Sequence, residues 1–407
     1  MSQQRHQVII IGAGIAGLRC AQVLHQKGIQ TLIIEKESEA GGRIRTREKN
    51  GFLLDEGFQV LLDSYEEVRR AIPFAELHTK TFDSGALVAA GSGNLRYAFH
   101  PLRHPDRLFY TLFRFPGTLS DMLKMGWMAL KYRHDHPDFW KNVQKETAAT
   151  FIAGAHFSPS FYLGFLRPFF GGVFLDPNLG LPAAYFRWLL AKFFSGSACL
   201  PEKGMAALPA LMAKTAGEIR LNTPVREINE GTILLENKEI LEADWIVDAR
   251  SFQDKGEKGN FRNTLTLYLE GPAQKDLPQS LILNADPFSP ILHFCFPSAI
   301  QNSYAPPGKC LCSITLSSPL PPEEDAMAVM RSGLQAIYPQ VNWEEFSILE
   351  TIEIPYALPA FPQGNSLAFR TEGRKLSIGD HCIYPSLNGA LRSGREAAEW
   401  LIGKIGA

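Results

Sequence analysis

The sequence predicts an α/β protein: a doubly wound, Rossmann-like nucleotide-binding domain joined to an α+β substrate domain that has an antiparallel or mixed sheet and a helical lobe. Three observations predict it. Residues 8–35 run from an apolar strand through a glycine-rich turn and an amphipathic helix to a second apolar strand, the βαβ start of a parallel sheet. Strand-like runs of the same kind return near residues 219–248 and 375–379, far along the chain. Between them, residues 99–203 are helical and aromatic, and residues 261–316 alternate apolar with polar side chains.

Taken in order, residues 8–11 form the first strand, and Ile15, Leu18, Ala21 and Leu24 recur at helical spacing until Gly28 ends the helix. Residues 31–35 are the second strand. The helical lobe, residues 101–200, includes the stretches FYTLFRF, FYLGFLRPFFGGVF and YFRWLLAKFF. Strands follow at 219–221, 225–228, 232–235 and 245–248, then the alternating block 261–316, a helix over 323–338, a short strand ending at Gly379-Asp380 and a closing helix over 388–402. The nucleotide-binding domain is thus expected from residues 1–80, 201–255 and 365–407, and the substrate domain from 81–200 and 256–364.

A chain of 407 residues needs at least two cores. Forty-one basic and 42 acidic side chains leave a formal charge of −1, without the positive excess that nucleic acid demands. Six scattered cysteines, Cys20, Cys199, Cys295, Cys310, Cys312 and Cys382, form neither a C-x-x-C pair nor a zinc pattern, which fits packed thiols in a reducing cytoplasm. No signal-peptide pattern opens the chain, and no run of about 18 apolar residues is present. His104 and the His134-Asp135-His136 stretch carry no metal-ligand framework and read as surface or loop positions; no metal is expected.

The chemistry starts at Gly12-Ala13-Gly14-Ile15-Ala16-Gly17, a G-x-G-x-x-G between strand and helix. Gly12 permits the turn, Gly14 clears the backbone for a pyrophosphate, and Gly17 lets the helix pack on the sheet. The amides from Ile15 and Ala16 then belong to a helix N-terminus that faces phosphate. Glu35, followed by Lys36, stands where an acid accepts hydrogen bonds from both hydroxyls of an unphosphorylated ribose. Next comes Gly41-Gly42-Arg43, in which two glycines admit close approach and a guanidinium offers paired donors to phosphate. Arg45 and Arg47 read as solvated strand positions.

With these residues the chain resembles the flavin-containing amine oxidase superfamily, which includes monoamine oxidases, protoporphyrinogen oxidases and phytoene desaturases. The resemblance continues in Leu54-Asp55-Glu56-Gly57-Phe58-Gln59, in Gly204-Met205-Ala206-Ala207-Leu208-Pro209, in Thr223-Pro224-Val225 and in Gly379-Asp380 followed by Pro385-Ser386-Leu387-Asn388-Gly389-Ala390. It implies non-covalent FAD: Arg43 at the pyrophosphate, Gly57, Phe58 and Gln59 beside the flavin, and the Val225 backbone at the adenine. It also implies Asp380 at the ribitol, and Asn388, Gly389 and Ala390 at the pyrimidine edge, where a helix N-terminus favours the anionic reduced flavin. The closing motif is similar to that of the phytoene desaturase and protoporphyrinogen oxidase branches.

Departures narrow the expectation. Tyr384-Pro385-Ser386 stands in the loop where monoamine oxidases carry their flavin-linking cysteine, and Cys382 follows Asp380 too closely to replace it. No pair of tyrosines can be placed as an amine-oxidase cage, and no second G-x-G-x-x-G supplies a nicotinamide site. Oxygen, a quinone or another diffusible molecule is the expected electron acceptor.

The lobe carries Phe109, Phe113, Phe115, Trp127, Phe161, Phe165, Phe169, Phe170, Phe174, Phe186, Trp188, Phe193 and Phe194. They suit a dense core, or an apolar cavity that leads a greasy substrate to the flavin. Arg103, Arg107, Arg114, Lys124, Lys131 and Arg133 would suit peripheral contact with an anionic membrane, or a solvated face. The expected activity is dehydrogenation of a large apolar substrate, isoprenoid, carotenoid or tetrapyrrole-like, by hydride transfer to flavin N5; no catalytic acid or base stands out. Amine oxidation, flavin-dependent isomerisation and a non-catalytic role like that of prenyl-protein escort factors remain open.

Overall fold

The computed structural model describes residues 5–89, 91, 93–100, 103–133, 146–250, 261–317, 323–362 and 367–406. His134, Asp135 and His136 lie outside them. In the first sheet Arg5–Ile11 lies parallel to Thr31–Ile34 on one side and to Ile240–Asp248 on the other. Glu218–Arg220 extends the sheet beyond Thr31–Ile34. The long strand Ile240–Asp248 divides its far edge, its first residues pairing antiparallel with Thr232–Leu235 and its last ones parallel with Lys375–Ser377. Val8, Ile9 and Ile10 are fully buried, as a central parallel strand covered on both faces requires.

Helix Ile15–His25 lies against this sheet and against the closing helix Leu387–Ile405. The helices meet where side chains are missing: a Cβ on Gly394 would stand 2.2 Å from the Ala16 carbonyl oxygen. The first helix ends at His25, three residues before the expected stop, and the chain turns through Gly28 at φ +76°.

The second sheet has seven strands, in the order Ser347–Pro359, Phe261–Pro272, Lys309–Leu316, Ile291–Cys295, Leu281–Asn284, Gly85–Ala89 and Leu95–Phe99. Every pair is antiparallel except Leu281–Asn284 with Gly85–Ala89. Period-two alternation gives it two unlike faces. Leu267, Leu269, Cys312 and Ile314 pack with Met330 and Leu334 of helix Glu323–Ile337. The opposite face, with Tyr268, Cys295 and Ile352, joins Phe52, Leu54 and Leu200 and turns toward the first sheet's loops. The hairpin Gly85–Ala89/Leu95–Phe99 is not predicted from sequence, because its first strand is held by a partner almost two hundred residues away.

The lobe between the sheets contains helices Leu108–Arg114, Leu119–Lys131, Ala148–Gly154, Arg167–Phe174 and Ala183–Ser195. Among the described residues no helix is long and apolar enough to cross a membrane.

Candidate functional site

The glycine turn is built from backbone alone. Gly12, at φ +101°, donates its N–H to the Ile34 carbonyl at 2.8 Å and so ties the turn to the second strand. Gly17 carries a packing requirement: its Cβ would sit 2.1 Å from the Gly12 oxygen. Gly14 does not; the nearest atom to its Cβ would be the Gly42 Cα at 4.0 Å. The Gly41 N–H bonds the Ala13 carbonyl at 3.0 Å, and Gly14 and Gly41 form a parallel bridge. Gly14, Gly41 and Gly42 therefore present adjoining backbone with no side chain between them. This cradle adjoins helix Ile15–His25, whose N-cap is Gly14, with no capping side chain and no acid in the first turn. Its amides and dipole suit an anionic diphosphate, with Ile15 and Ala16 buried beneath.

Glu35 is buried at the cradle's edge. One carboxylate oxygen accepts from the Ala13 N–H at 2.7 Å and the other from the Glu37 N–H at 3.0 Å. The geometry orients the carboxylate and leaves lone pairs for further donors. Thr223 N–H bonds the Glu35 carbonyl at 2.8 Å, which places the segment leading to Val225 against the same strand end. Lys36 lies 3.8 Å from Glu37 at the surface.

Arg43 and Asp380 meet directly. The guanidinium donates to Asp380 Oδ1 at 2.5 Å and to the Ala357 carbonyl at 3.0 Å. Sequence reasoning assigns these side chains to different parts of one ligand; the structure shows that they share one corner. Gly379, at φ +141°, precedes Asp380 and donates its N–H to Ser393 Oγ at 2.9 Å.

The Gly57–Gln59 loop lies on the Tyr268 face of the seven-stranded sheet, with the Gly57 Cβ position 2.9 Å from Ile354 Cδ1. Gln59 Nε2 fixes the loop by donating to the Glu56 and Arg43 carbonyls at 2.7 and 2.9 Å. Phe58 meets the His293 ring edge-on, centroids 5.0 Å apart. His293 is buried, and neither ring nitrogen has a partner. Burial pushes its pKa down to about 4, so the imidazole is neutral near pH 7. Its cross-strand neighbour Thr315 and the next in that row, Thr266, also bury hydroxyls without partners. Sequence reasoning misses His293, whose one signal is a polar residue inside the apolar strand Ile291–Cys295.

Asp55 joins the loop to the sheet beneath. Its carboxylate accepts from Thr46 Oγ1, Tyr304 OH and the Met205 N–H at 2.6, 2.8 and 2.9 Å, and Tyr268 OH donates to its carbonyl at 2.6 Å. Burial raises its pKa to about 6 against the pull of those donors. Asp55, Gly57, Phe58, Gln59, Tyr268 and Tyr304 line one cavity.

At the closing helix, Ser386 Oγ accepts the Gly389 N–H at 2.9 Å. The Asn388 side chain turns inward, accepting from the Glu67 N–H at 3.2 Å and donating to Tyr384 OH at 3.1 Å. Ala390 donates its N–H to the Ser386 carbonyl. The Asn388 amide is thus engaged within the protein. Cys382 is buried, its thiol directed to the Ser377 carbonyl.

The lobe's aromatic residues divide into a buried, a half-buried and an exposed group, Phe115, Phe165, Phe169, Phe193 and Phe194 being half-buried. Phe161, Phe170, Phe174, Phe186 and Trp188 are buried, with ring contacts such as Phe170–Phe186 at 4.6 Å. A stacked row Phe161–Phe165–Phe169, at 5.5 and 5.4 Å, runs toward the cluster that holds Phe58. Phe109, Phe113 and Trp127 are exposed instead. Arg103 is spent on the Phe194 and Gly196 carbonyls and on Ser84 and Ser197, and Arg107 on Asp83. His104 Nε2 accepts from the Ser84 N–H.

The family profile described as flavin containing amine oxidoreductase matches residues 15–252. A mitochondrial protoporphyrinogen oxidase from Nicotiana tabacum is 34% identical over 74 residues, 18% of this chain and 15% of that protein. A 4,4'-diapophytoene desaturase (4,4'-diapolycopene-forming) from Methylomonas sp is 42% identical over 62 residues, 15% of this chain and 12% of that protein. The matched segments thus span less than a fifth of either relative. The solved structure of cyclohexylamine oxidase from Brevibacterium oxydans superposes with a TM-score of 0.70 over 99% of this chain and 100% of that one, at 16% identity, which is a likeness of fold.

Proposed function

The chain belongs to the flavin-containing amine oxidoreductase family, and from that premise we propose that it is an FAD-dependent oxidoreductase that dehydrogenates a large apolar substrate of isoprenoid, carotenoid or tetrapyrrole kind. The observation that carries the cofactor reading is the side-chain-free cradle of Gly14, Gly41 and Gly42 at an uncapped helix N-terminus, with Glu35 oriented at its edge. These residues fit a dinucleotide diphosphate and ribose. Gly12 and Gly17 shape the turn, and the amides of Ile15 and Ala16 lie at the diphosphate end. Lys36 and the Val225 backbone would border the adenosine, while Arg43 and Asp380 would serve phosphate and ribitol from their common corner. Gly57, Phe58 and Gln59, with the backbone of Asn388, Gly389 and Ala390, would border the ring system.

When bound, FAD would supply a hydride acceptor at N5, with oxygen, a quinone or another diffusible molecule as the proposed final acceptor. The chain's own contribution is orientation and exclusion of water. Phe58, Phe165 and Phe169 offer apolar surface, and His293, neutral near pH 7, offers a hydrogen bond without charge. The burial of all six cysteines and the absence of a cysteine in the Tyr384-Pro385-Ser386 loop support a cofactor held by non-covalent contacts.

Anaerobic mixing of the flavin-loaded protein with polyenes, porphyrinogens and amines tests the substrate class. Bleaching by a polyene or a porphyrinogen supports the reading. Bleaching by amines alone replaces it with amine oxidation, and a product that is an isomer of its substrate replaces it with isomerisation.

A further inference from the structure

Helix Leu119–Lys131 is apolar on two sides. Met125, Met128 and Ala129 are buried in the lobe, while Leu119, Leu123, Trp127 and Leu130 form a stripe at helical spacing and are 63, 67, 59 and 65% exposed. The preceding helix, Leu108–Arg114, adds Phe109 and Phe113, 66 and 73% exposed, with ring centroids 4.4 Å apart. A surface helix of a water-facing protein ordinarily carries charge on that side, and a contiguous apolar patch marks a contact site. The helix is firmly seated: the buried Asp121 carboxylate forms a capping box with Thr118 and also accepts from the N–H and hydroxyl of Ser158. The stripe is therefore a fixed surface.

The charges decide the partner. Residues 108–133 contain Arg114, Lys124, Lys131 and Arg133, and a single acid, Asp121, which is buried. Lys131 Nζ stands 4.6 Å from the Trp127 ring centroid, an ammonium at the rim of an apolar face. Leucine and aromatic side chains projecting between basic residues are what an interfacial helix offers to acyl chains and anionic headgroups.

We propose that helices Leu108–Arg114 and Leu119–Lys131 form a docking surface for an anionic lipid bilayer, placing the protein flat on the membrane. The half-buried Phe157 lies beside this face, with Lys124 over its ring, and begins the row Phe157–Phe161–Phe165–Phe169 that leads toward Phe58. An apolar substrate dissolved in the bilayer would thus enter next to the membrane. That delivery role rests on the apolar-substrate reading; the docking surface does not.

The flavin-loaded protein is sedimented with vesicles of phosphatidylcholine alone and of phosphatidylcholine mixed with phosphatidylglycerol. The expected result is co-sedimentation with the mixed vesicles, weakened by salt. Combining Leu123→Ser with Trp127→Ser should reduce it roughly tenfold or more with flavin content and melting temperature unchanged. Lys131→Gln should weaken binding about fivefold to anionic vesicles only. If the double variant loses its flavin, quenching of wild-type tryptophan fluorescence by brominated lipid replaces it as the readout. A wild-type protein that stays in the supernatant with both vesicles, or that shows no quenching, overturns the proposal. So does a dimer in light scattering that the double variant converts to monomer, which would assign the face to a second copy of the chain.

Discussion

Between Gly12 and Gly17 the backbone folds so closely on itself that a Cβ would stand 2.1 Å from a carbonyl oxygen, whereas Leu123 and Trp127 on helix Leu119–Lys131 hold most of their surface in the open. The first region is specified by what cannot be added to it. The second is specified on its inner side by packing, while its outer side is free of any requirement the fold imposes. Substitutions should therefore act differently at the two: at the nucleotide end they strike fold or cofactor, and on the outer face of the lobe neither.

The largest effect is expected at Gly17. Gly17→Ala forces the helix away from the turn, and thermal unfolding should show a loss of about 4 kcal/mol or more. Gly14→Ala has room and should leave the apoprotein's melting temperature nearly unchanged while flavin content falls. Equal destabilisation by both would mean that Gly14 serves the fold and not the ligand. Within the lobe, Phe170→Ala removes a ring at the centre of the packed population and should cost about 3–5 kcal/mol, against less than about 0.5 kcal/mol for Leu123→Ala. A large cost at Leu123 would erase the distinction between the lobe's two sides.

The Tyr268 face of the second sheet, where His293 and Asp55 are buried, can be probed by pH. Above pH 6.5 the His293 imidazole is neutral folded or unfolded and contributes no pH dependence. Below it the unfolded chain takes up a proton that the folded chain refuses until about pH 4, so this group lowers stability as pH falls through that window, by up to about 3 kcal/mol. Asp55, held up to about 6, works oppositely, since between pH 6 and 3.8 the unfolded chain releases a proton that the folded one keeps. The comparison is thus wild type against His293→Leu in denaturant titrations: the variant should gain relative stability as pH drops from 6.5 to 4. A constant difference would mean that His293 has a proton-accepting partner in solution.

Glu35→Ala should weaken FAD binding roughly 10- to 150-fold, the equivalent of about 1.5–3 kcal/mol for a charge-assisted pair of hydrogen bonds. Calorimetric titration of the deflavinated protein with FAD measures it, and an unchanged dissociation constant would move the ribose contact elsewhere.

The unequal legibility of the sequence follows the same division. The strand–turn–helix start is readable because Gly12 and Gly17 answer to local backbone geometry, and the alternation of Leu265, Leu267 and Leu269 marks one buried sheet face without knowledge of neighbours. The Gly85–Ala89 strand is not readable, since its partner Leu281–Asn284 is supplied from another part of the chain. Nor is the role of His293: an imidazole becomes an unpartnered group only when three strands bring Thr266, Thr315 and His293 into one row. The inward turn of Asn388 depends on Tyr384 and Glu67, and the meeting of Arg43 with Asp380 on chain ends more than three hundred residues apart. Apolar periodicity in Leu119–Lys131 signals burial and cannot say that one apolar side is left bare.

The central claim is that the glycine cradle and Glu35 hold FAD by non-covalent contacts alone. Acid precipitation of the purified yellow protein tests it most directly. All of the flavin should remain in the supernatant, and neutralised apoprotein should regain the flavin spectrum on addition of FAD. Colour retained in the pellet, or a colourless protein that takes up no FAD, would contradict it.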